Sequence, residues 1–279
     1  MQEYLDLVRY VLDNGDRKPS RTGVDTISAF SANYSVDLAN GFPLLTTKKM
    51  QWNSVLRELL WYLSGENHIR NLRAHTKIWD AWADEQGRLD TAYGHYWRHF
   101  PSAVKDDDGE WRVREVDQIG NVLQALRTDP SSRRMVVTAW EPGNAWSSRL
   151  PPCHYTYAFH VQGGKLNCHL TQRSGDVALG IPFNLAAYAT LTQMLAQEVG
   201  LGLGRFAHTI VDAHIYTSRA DGTMDEYDHV QGLRDQLERD PLPLPRLEIA
   251  DKPFEQLTFD DFTLEGYACH PPISFKVAV

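Results

Sequence analysis

Cysteine is scarce in this sequence, and its spacing excludes two common structural devices. Only Cys153, Cys168 and Cys269 occur among 279 residues. An odd number of widely separated cysteines does not form a disulfide framework, and none has the close partner that a zinc site requires. We therefore expect no metal and a reducing compartment, the cytoplasm.

Long apolar runs are also absent. No stretch approaches the roughly 18 apolar residues that a membrane-spanning helix needs. The opening segment, MQEYLDLVRYVLDNG, lacks the basic start, apolar core and small-residue cleavage site of a signal peptide. We therefore expect neither a membrane span nor a secretory leader.

An excess of positive charge is missing as well. The 28 lysines and arginines are outnumbered by 36 aspartates and glutamates, which gives a formal charge of −8. Such a balance argues against broad electrostatic binding to nucleic acid or to an anionic membrane. It does not exclude local basic clusters.

Linkers, repeats and low-complexity segments are lacking too, so we predict a single domain over 1–279. Apolar residues recur at helical spacing, or in short strand-like runs, in several segments. The predicted helices lie near 4–15, 53–65, 116–130 and 183–199, and the predicted strands near 134–140, 155–161, 165–172 and 209–218. Because these elements do not alternate regularly, the predicted class is α+β, with a bent, mostly antiparallel or mixed sheet covered by helices.

One cysteine stands at the start of a predicted strand, directly after two prolines. This is Cys153, in the segment LPPCHYTYAFHV (150–161). A thiol becomes a nucleophile as a thiolate, which nearby positive charge favours, and Arg133, Arg134 and Arg173 occur in neighbouring segments. The residues alone leave two alternatives, a catalytic nucleophile or a buried structural cysteine.

The other two cysteines are predicted to be structural. Cys168 alternates with Leu166 and Leu170 on one face of a predicted strand, which indicates a core position. Cys269 lies near the C-terminus without a basic cluster beside it in sequence.

The segment TQRSGDVALGIPFN (171–184) is the richest in polar groups beside an apolar helix. Arg173 and Ser174 suit a phosphate, because a guanidinium offers two parallel donors and a hydroxyl offers another. Asn184 either caps the helix that follows or presents its amide, a donor beside an acceptor, to a pyrimidine.

Two further groups of polar residues have two interpretations each. Residues that begin a strand point to opposite faces, so Arg133 and Arg134 bind an anion either singly from a strand or together from a loop, or else they are solvated surface charges. His214 and Tyr216 share a strand face with Asp212, which indicates either a ligand pocket or a satisfied polar cluster.

Ten segments, in this order, resemble the thymidylate synthase family along almost the whole chain. Each segment alone is weak evidence, whereas the ordered set is specific. They are RTGVDT (21–26), GFPLLTTKK (41–49), ELLWYLSG (58–65), IWDAWADE (78–85), YGHYWR (93–98), SRRMVVTAW (132–140), LPPCHYTYAFHV (150–161), QRSGDVALGIPFN (172–184), DAHIY (212–216) and EGYACHPPI (265–273).

The resemblance implies methylation of dUMP to dTMP, with 5,10-methylenetetrahydrofolate giving both the one-carbon unit and the hydride. In that chemistry a thiolate adds to carbon 6 of the uracil and makes carbon 5 nucleophilic. By resemblance Cys153 is the thiolate, and Arg173 is a cation that favours it. Glu58 would organise proton transfers at the base, and Tyr93 and His154 would line the base side of the site.

The resemblance also implies the binding residues. The substrate-binding set is Arg21, Arg133, Arg134, Gln172, Arg173, Ser174, Asp176, Asn184, His214 and Tyr216. Within it, Asn184 would contact the pyrimidine edge, and His214 and Tyr216 the 3′-hydroxyl. Arg133 and Arg134 would reach the phosphate from the other subunit of a homodimer. The folate-binding set is Lys48, Trp79, Trp82, Asp176 and Val279, with Trp79 keeping water from the one-carbon intermediate.

Two alternatives compete with this function, the first within the same superfamily and the second from a different functional class. One is a pyrimidine-nucleotide hydroxymethylase, acting on dUMP or dCMP, against which Asn184 and Trp79 argue. The other is a catalytically silent nucleotide- or RNA-binding relative. The intact thiol argues against silence, and the net negative charge leaves RNA a weak secondary partner at most.

Three features depart from the family pattern or lie outside it. Val211 stands where a glycine is usual, so the backbone beside the sugar site is expected to shift. The segment 217–241 is longer than is typical, and its front half, 217–227, is a predicted surface insertion. The acidic segment 105–111 is predicted to be a solvated turn.

Overall fold

The computed structural model describes residues 1–278, and its backbone contacts divide the chain into two units. The first contains Met1–Gln51 and the chain from Gln162 onward, and the second contains Trp52–Val161. Among the described residues the helices are α1 (Gln2–Asn14), α2 (Trp52–Leu63), α3 (Arg70–Arg73), α4 (Tyr93–Arg98), α5 (Gln118–Thr128), α6 (Gly180–Glu198) and α7 (Val230–Leu237). The strands are β1 (Asp16–Pro19), β2 (Asp25–Asp37), β3 (Phe100–Lys105), β4 (Trp111–Val116), β5 (Val136–Thr138), β6 (His154–Gln162), β7 (Lys165–Asp176), β8 (Gly202–Thr217), β9 (Arg246–Ile249) and β10 (Phe262–Glu265).

The strands of the first unit form a sheet in the order β1-β2-β8-β7 and a separate β9–β10 ribbon. Strand β2 pairs antiparallel with both β1 and β8, whereas β7 and β8 run parallel. Helix α6 packs on β7 and β8 and is largely buried, because apolar residues occur on nearly all of its sides.

The second unit contains the antiparallel pairs β5–β6 and β3–β4. Helices α2 and α4 pack together, and Gly94 lies so close to α2 that an added Cβ would be 2.0 Å from the Tyr62 carbonyl oxygen. The turn between β3 and β4 is largely exposed, and Asp108 pairs with Arg112 at 2.6 Å, so the predicted solvated turn is confirmed.

These pairings confirm the predicted α+β class with a mixed, mostly antiparallel set of strands. The predicted single domain over 1–279 stays a prediction. Within residues 1–278, none of the helices has the length and apolar character that crossing a bilayer requires.

Two predicted boundaries are wrong in ways that affect the site. Helix α6 begins at Gly180 rather than near 183, since Pro182 lies in the first turn, where a backbone N–H has no helical partner. Asn184 is therefore inside the helix and does not cap it. Strand β5 begins at Val136 rather than at 134, so Arg133 and Arg134 lie in the preceding loop. Arg133 and Arg134 are therefore not constrained to opposite faces of a strand.

The predicted insertion lies on the surface and contacts two distant parts of its unit. Residues 219–223, 225 and 226 are exposed. The backbone N–H of Ala220 donates to Asp25 at 3.0 Å, and Glu226 pairs with Lys276 at 3.1 Å. The segment is thus attached near the β1–β2 turn at one end and near the C-terminal segment at the other.

Candidate active site

Two of the three cysteines differ sharply in their environments. Cys168, on β7, is 2% exposed, and burial raises the pKa of its thiol to about 12, which confirms the predicted core position. Cys153 is half-buried and directly precedes β6. Its backbone N–H donates to the Tyr93 hydroxyl at 2.7 Å, so α4 helps to hold this residue in place. Cys153 is therefore a half-buried residue whose backbone is held by a side chain of α4.

A stacked pair of rings adjoins the thiol residue. The rings of Tyr93 and His154 are 3.7 Å apart and nearly parallel, with an interplanar angle of 1°. Burial lowers the pKa of His154 to about 3, so its imidazole is neutral at physiological pH. His154 can donate or accept a hydrogen bond, but it does not supply the positive charge that a thiolate needs.

Glu58 is a buried carboxyl group on α2. It is 8% exposed, and Trp79 Nε1 donates to its Oε1 at 2.6 Å. Burial raises the pKa of Glu58 to about 7, and hydrogen bonds from Trp79 and Tyr62 oppose that rise. A carboxyl group with this pKa both binds and releases a proton near neutral pH, as general acid–base chemistry requires.

Trp79 connects the carboxyl group to the other aromatic residues of the second unit. Its ring lies 5.8 Å from that of Tyr93 and 5.6 Å from that of Trp82. Trp79 and Trp82 also line a cleft together with Asp84, Arg88, Thr91 and Arg149. The second unit thus brings together six predicted site residues: Cys153, Tyr93, His154, Glu58, Trp79 and Trp82.

In the first unit, a predicted base-contacting amide is held by a neighbouring strand. Asn184 Nδ2 donates to Gln172 Oε1 at 3.0 Å, so α6 is joined to β7. Arg173 and Ser174 follow on β7, and Ser174 Oγ lies 3.5 Å from His214 Nδ1. Strands β7 and β8 therefore carry neighbouring polar side chains.

Three polar residues of β8 were predicted to share one strand face: Asp212, His214 and Tyr216. Asp212 accepts hydrogen bonds from Ser28 and Lys18 and lies 3.4 Å from His214 Nδ1. Burial raises the pKa of Asp212, but the hydrogen bonds lower it by more, so the pKa lies well below its ordinary value. The rings of His214 and Tyr216 are 5.2 Å apart. Asp212 is thus a structural anion, whereas the assignment of His214 and Tyr216 to a ligand stays a prediction.

Val211 stands where the family usually has a glycine, but its backbone conformation does not require one. It lies in β8, and its φ is outside the positive range that favours glycine. An ordinary extended strand accommodates valine here.

The predicted folate residues of the first unit lie near the start of α6. Asp176 accepts from the backbone N–H of Ala178 at 2.9 Å, and Lys48 Nζ donates to the Ala178 carbonyl. Lys48 is buried with its Nζ 4.8 Å from the centre of the Phe275 ring, and burial lowers its pKa to about 8. Val279 lies outside the described residues.

Three predicted phosphate-binding arginines are exposed. Arg21 lies in the turn between β1 and β2, and Arg133 and Arg134 precede β5. Within residues 1–278 none of the three side chains makes an ion pair or hydrogen bond. The structure does not bring them to a neighbouring anion, and all three remain available to bind one.

Two comparisons with known proteins point to the same family. The family model for thymidylate synthase matches residues 2–279. The thymidylate synthase of Haloferax volcanii is 50% identical over 327 aligned positions, which cover 98% of this chain and 95% of the relative. The chain belongs to the thymidylate synthase family.

Family membership confirms the activity that the sequence predicts, methylation of dUMP with 5,10-methylenetetrahydrofolate as co-substrate. It does not favour the hydroxymethylase alternative. Among the described residues no group of three or more His, Cys, Asp or Glu side chains is arranged to hold a metal ion.

Tyr62 belongs with this candidate site, although the sequence did not predict it. Its side chain hydrogen-bonds to Glu58, and its ring lies 5.9 Å from His154 and 5.5 Å from Tyr93. The available signal was spacing, because residues four apart on a helix are neighbours.

Proposed function

We propose that this chain methylates dUMP through a thiolate at Cys153 that adds to carbon 6 of the uracil. The observation that carries the assignment is the contrast between Cys153 and Cys168. Cys153 is half-buried with its backbone held by Tyr93, whereas Cys168 is buried and has a raised pKa. Arg173 favours the thiolate form through its positive charge.

The addition converts the uracil ring into an enolate with a nucleophilic carbon 5. When bound, methylenetetrahydrofolate would supply the one-carbon unit to carbon 5, which loses its proton to a base, and then the hydride, and would be left as dihydrofolate. The bond between Cys153 and carbon 6 breaks at the end, which restores both the thiolate and the ring double bond. Cys153 is thus unchanged overall.

Glu58 acts as a general acid and base in proton transfers at the uracil. Its raised pKa of about 7 and its hydrogen bond from Trp79 support this role, because a poised and oriented carboxyl group can protonate or deprotonate bound water or ring oxygen. The neutral imidazole of His154 and the Tyr93 hydroxyl supply uncharged hydrogen bonds on the same side.

The first unit supplies the nucleotide contacts. Asn184 contacts the pyrimidine edge, and His214 and Tyr216 contact the 3′-hydroxyl. Gln172 supports Asn184 through the hydrogen bond between their side chains. The phosphate is bound by positive or hydroxyl groups, which are Arg21, Arg173 and Ser174 in one subunit and Arg133 and Arg134 from the other.

Folate contacts come from aromatic and charged residues. Trp79 and Trp82 pack against the ring system, and Trp79 excludes water from the one-carbon intermediate. Asp176 contacts the pterin, and Lys48 and Val279 contribute to closure over the folate. We also assign the protein to the cytoplasm, on the basis of its few, widely separated cysteines.

Product analysis tests the reaction as a whole. With dUMP and methylenetetrahydrofolate we expect dTMP and dihydrofolate in equal amounts, identified by mass spectrometry and by dihydrofolate absorbance. Hydroxymethyl-dUMP without dihydrofolate would instead indicate that water reaches the one-carbon intermediate.

Mixing two inactive variants tests the homodimer and its shared phosphate site. Cys153→Ser lacks the thiol, and the double variant Arg133→Ala/Arg134→Ala lacks the donated arginines. Each is expected to be nearly inactive alone. Re-equilibrated equal mixtures should recover roughly a quarter of wild-type activity, because half the dimers are mixed and each has one intact site.

The matched control mixes Cys153→Ser with Arg21→Ala, whose arginine acts within its own subunit. In that mixed dimer the site with an intact Cys153 lacks Arg21, so activity should stay at the level of the Arg21→Ala sites. Recovery in the control but not in the main mixture would contradict donation of Arg133 and Arg134 across an interface.

A further inference from the structure

A chain of side-chain hydrogen bonds runs from β2 to α6 and ends at Asn184. The Tyr34 hydroxyl lies 2.9 Å from His208 Nδ1, and His208 Nε2 lies 2.9 Å from Gln172 Oε1. The same Gln172 oxygen accepts from Asn184 Nδ2 at 3.0 Å. His208 and Gln172 are only 1% and 2% exposed, so water competes little for these bonds.

The fold places these residues in line. Tyr34 is directly opposite His208 in the β2–β8 pair, and Gln172 lies on β7, the next strand. The His208 ring is held between its neighbours, with its centre 5.3 Å from that of Tyr34 and 5.5 Å from that of Phe206. Asn184 then joins from α6, so four elements contribute to one chain of contacts.

The direction of each hydrogen bond in this chain follows from Gln172 Oε1, which lies between His208 and Asn184. Gln172 Oε1 only accepts, so both His208 Nε2 and Asn184 Nδ2 must donate to it. A neutral His208 with its hydrogen on Nε2 has an acceptor at Nδ1. The Tyr34 hydroxyl therefore donates to Nδ1. It has no second partner within the described residues, and a phenol donates more strongly than it accepts.

This direction decides which groups Asn184 offers to a ligand. With one Nδ2 hydrogen bonded to Gln172, the side chain retains Oδ1 and its second Nδ2 hydrogen. That pair complements uracil, which presents an N3–H donor beside an O4 acceptor. Cytosine presents an acceptor at N3 beside an amino donor and needs the amide turned over. The turned amide would bring Oδ1 against Gln172 Oε1, two acceptors without a proton between them.

We propose that Tyr34 and His208 are positioning residues that lock the amide of Asn184 and so set the preference for uracil over cytosine nucleotides. The proposal rests on the proposed function in one respect, the contact between Asn184 and the base. Neither Tyr34 nor His208 needs to touch the substrate.

Removing the Tyr34 hydroxyl tests whether the end of the hydrogen-bond chain farthest from Asn184 fixes the direction of the Asn184 amide. In Tyr34→Phe, His208 can carry its hydrogen on either nitrogen, so Gln172 and Asn184 can both turn over. We expect the ratio of dCMP to dUMP dissociation constants to fall by about tenfold, the equivalent of one hydrogen bond of roughly 1.4 kcal/mol. The control is Tyr10→Phe, which should leave the ratio unchanged, because within residues 1–278 the Tyr10 hydroxyl bonds only to the Phe30 carbonyl, at 3.3 Å.

Two His208 variants separate positioning from packing. His208→Leu has no donor for Gln172 and should lose the selectivity. His208→Gln keeps an amide donor and should retain part of it. The ¹⁵N chemical shifts of His208 should show the hydrogen on Nε2 in the wild type and a mixture of both tautomers in Tyr34→Phe. This measurement tests the proposal even if His208→Leu fails to fold.

Asn184→Ala distinguishes the two ways in which the proposal can fail. If this variant alters the dCMP/dUMP ratio while Tyr34→Phe does not, Asn184 contacts the base but the chain of hydrogen bonds does not position it. If Asn184→Ala leaves the ratio unchanged, the contact between Asn184 and the base is itself wrong. A wild-type His208 with its hydrogen on Nδ1 would overturn the proposed direction of the bonds.

Discussion

Cys153→Ser is expected to reduce kcat by a factor of about 10³ or more, while dUMP affinity stays close to that of the wild type. A serine hydroxyl at neutral pH has almost no ionised form and is a weak nucleophile compared with a thiolate. The nucleotide contacts proposed for the first unit are not altered by this change. Steady-state kinetics and equilibrium dUMP binding measure the two quantities separately.

A covalent adduct identifies the nucleophile directly. 5-Fluoro-dUMP carries fluorine at carbon 5, where the normal reaction removes a proton, so the adduct with folate and enzyme should accumulate. Peptide mass spectrometry is expected to place it on Cys153 and to find none in Cys153→Ser. The control is Cys269→Ser, which makes the same change at another half-buried thiol and should keep both activity and adduct. Turnover by Cys153→Ser would require a different nucleophile.

Glu58→Gln is expected to lower kcat by about 10² to 10⁴, the usual contribution of a positioned general acid or base. The wild-type rate should depend on a group that titrates near pH 7, because burial raises the pKa of Glu58 to about 7. That dependence should disappear in Glu58→Gln, whose amide does not titrate. A pH profile of kcat from pH 5 to 9 provides the measurement. An unchanged pH dependence in the variant would assign the titration to another group.

The same substitution should stabilise the fold at alkaline pH. Glu58 binds its proton more tightly in the folded chain, with a pKa of about 7, than at its ordinary value of 4.5. Its contribution to stability is therefore fully present below about pH 4.5 and is lost as the pH rises through about 7. At pH 8 the buried carboxylate costs up to roughly 3 kcal/mol, at about 1.4 kcal/mol per pKa unit.

Urea unfolding at pH 5 and pH 8 measures that difference. We expect Glu58→Gln to exceed the wild type in free energy of unfolding at pH 8 and to approach it at pH 5. Glu85→Gln, a change at an exposed carboxyl group, should match the wild type at both values. Equal stability of Glu58→Gln and wild type at pH 8 would mean that Glu58 is not a costly buried anion.

Local sequence patterns predicted the features that depend on neighbouring residues. The alternation of Cys168 with Leu166 and Leu170 predicted that Cys168 is buried. The start of α6 was predicted three residues too late, because Pro182 was taken to precede the helix, whereas it lies in the first turn. That error had a functional consequence, since it left Asn184 a possible cap.

By itself the sequence determined the family and the fold class, because ordered motifs and apolar periodicity are properties of the linear chain. Only the tertiary structure decided that Glu58 titrates near pH 7, that His154 is neutral and that Tyr34 is linked to Asn184. The reason is physical. Burial and hydrogen-bond partners set protonation and amide direction, and residues far apart in sequence supply both.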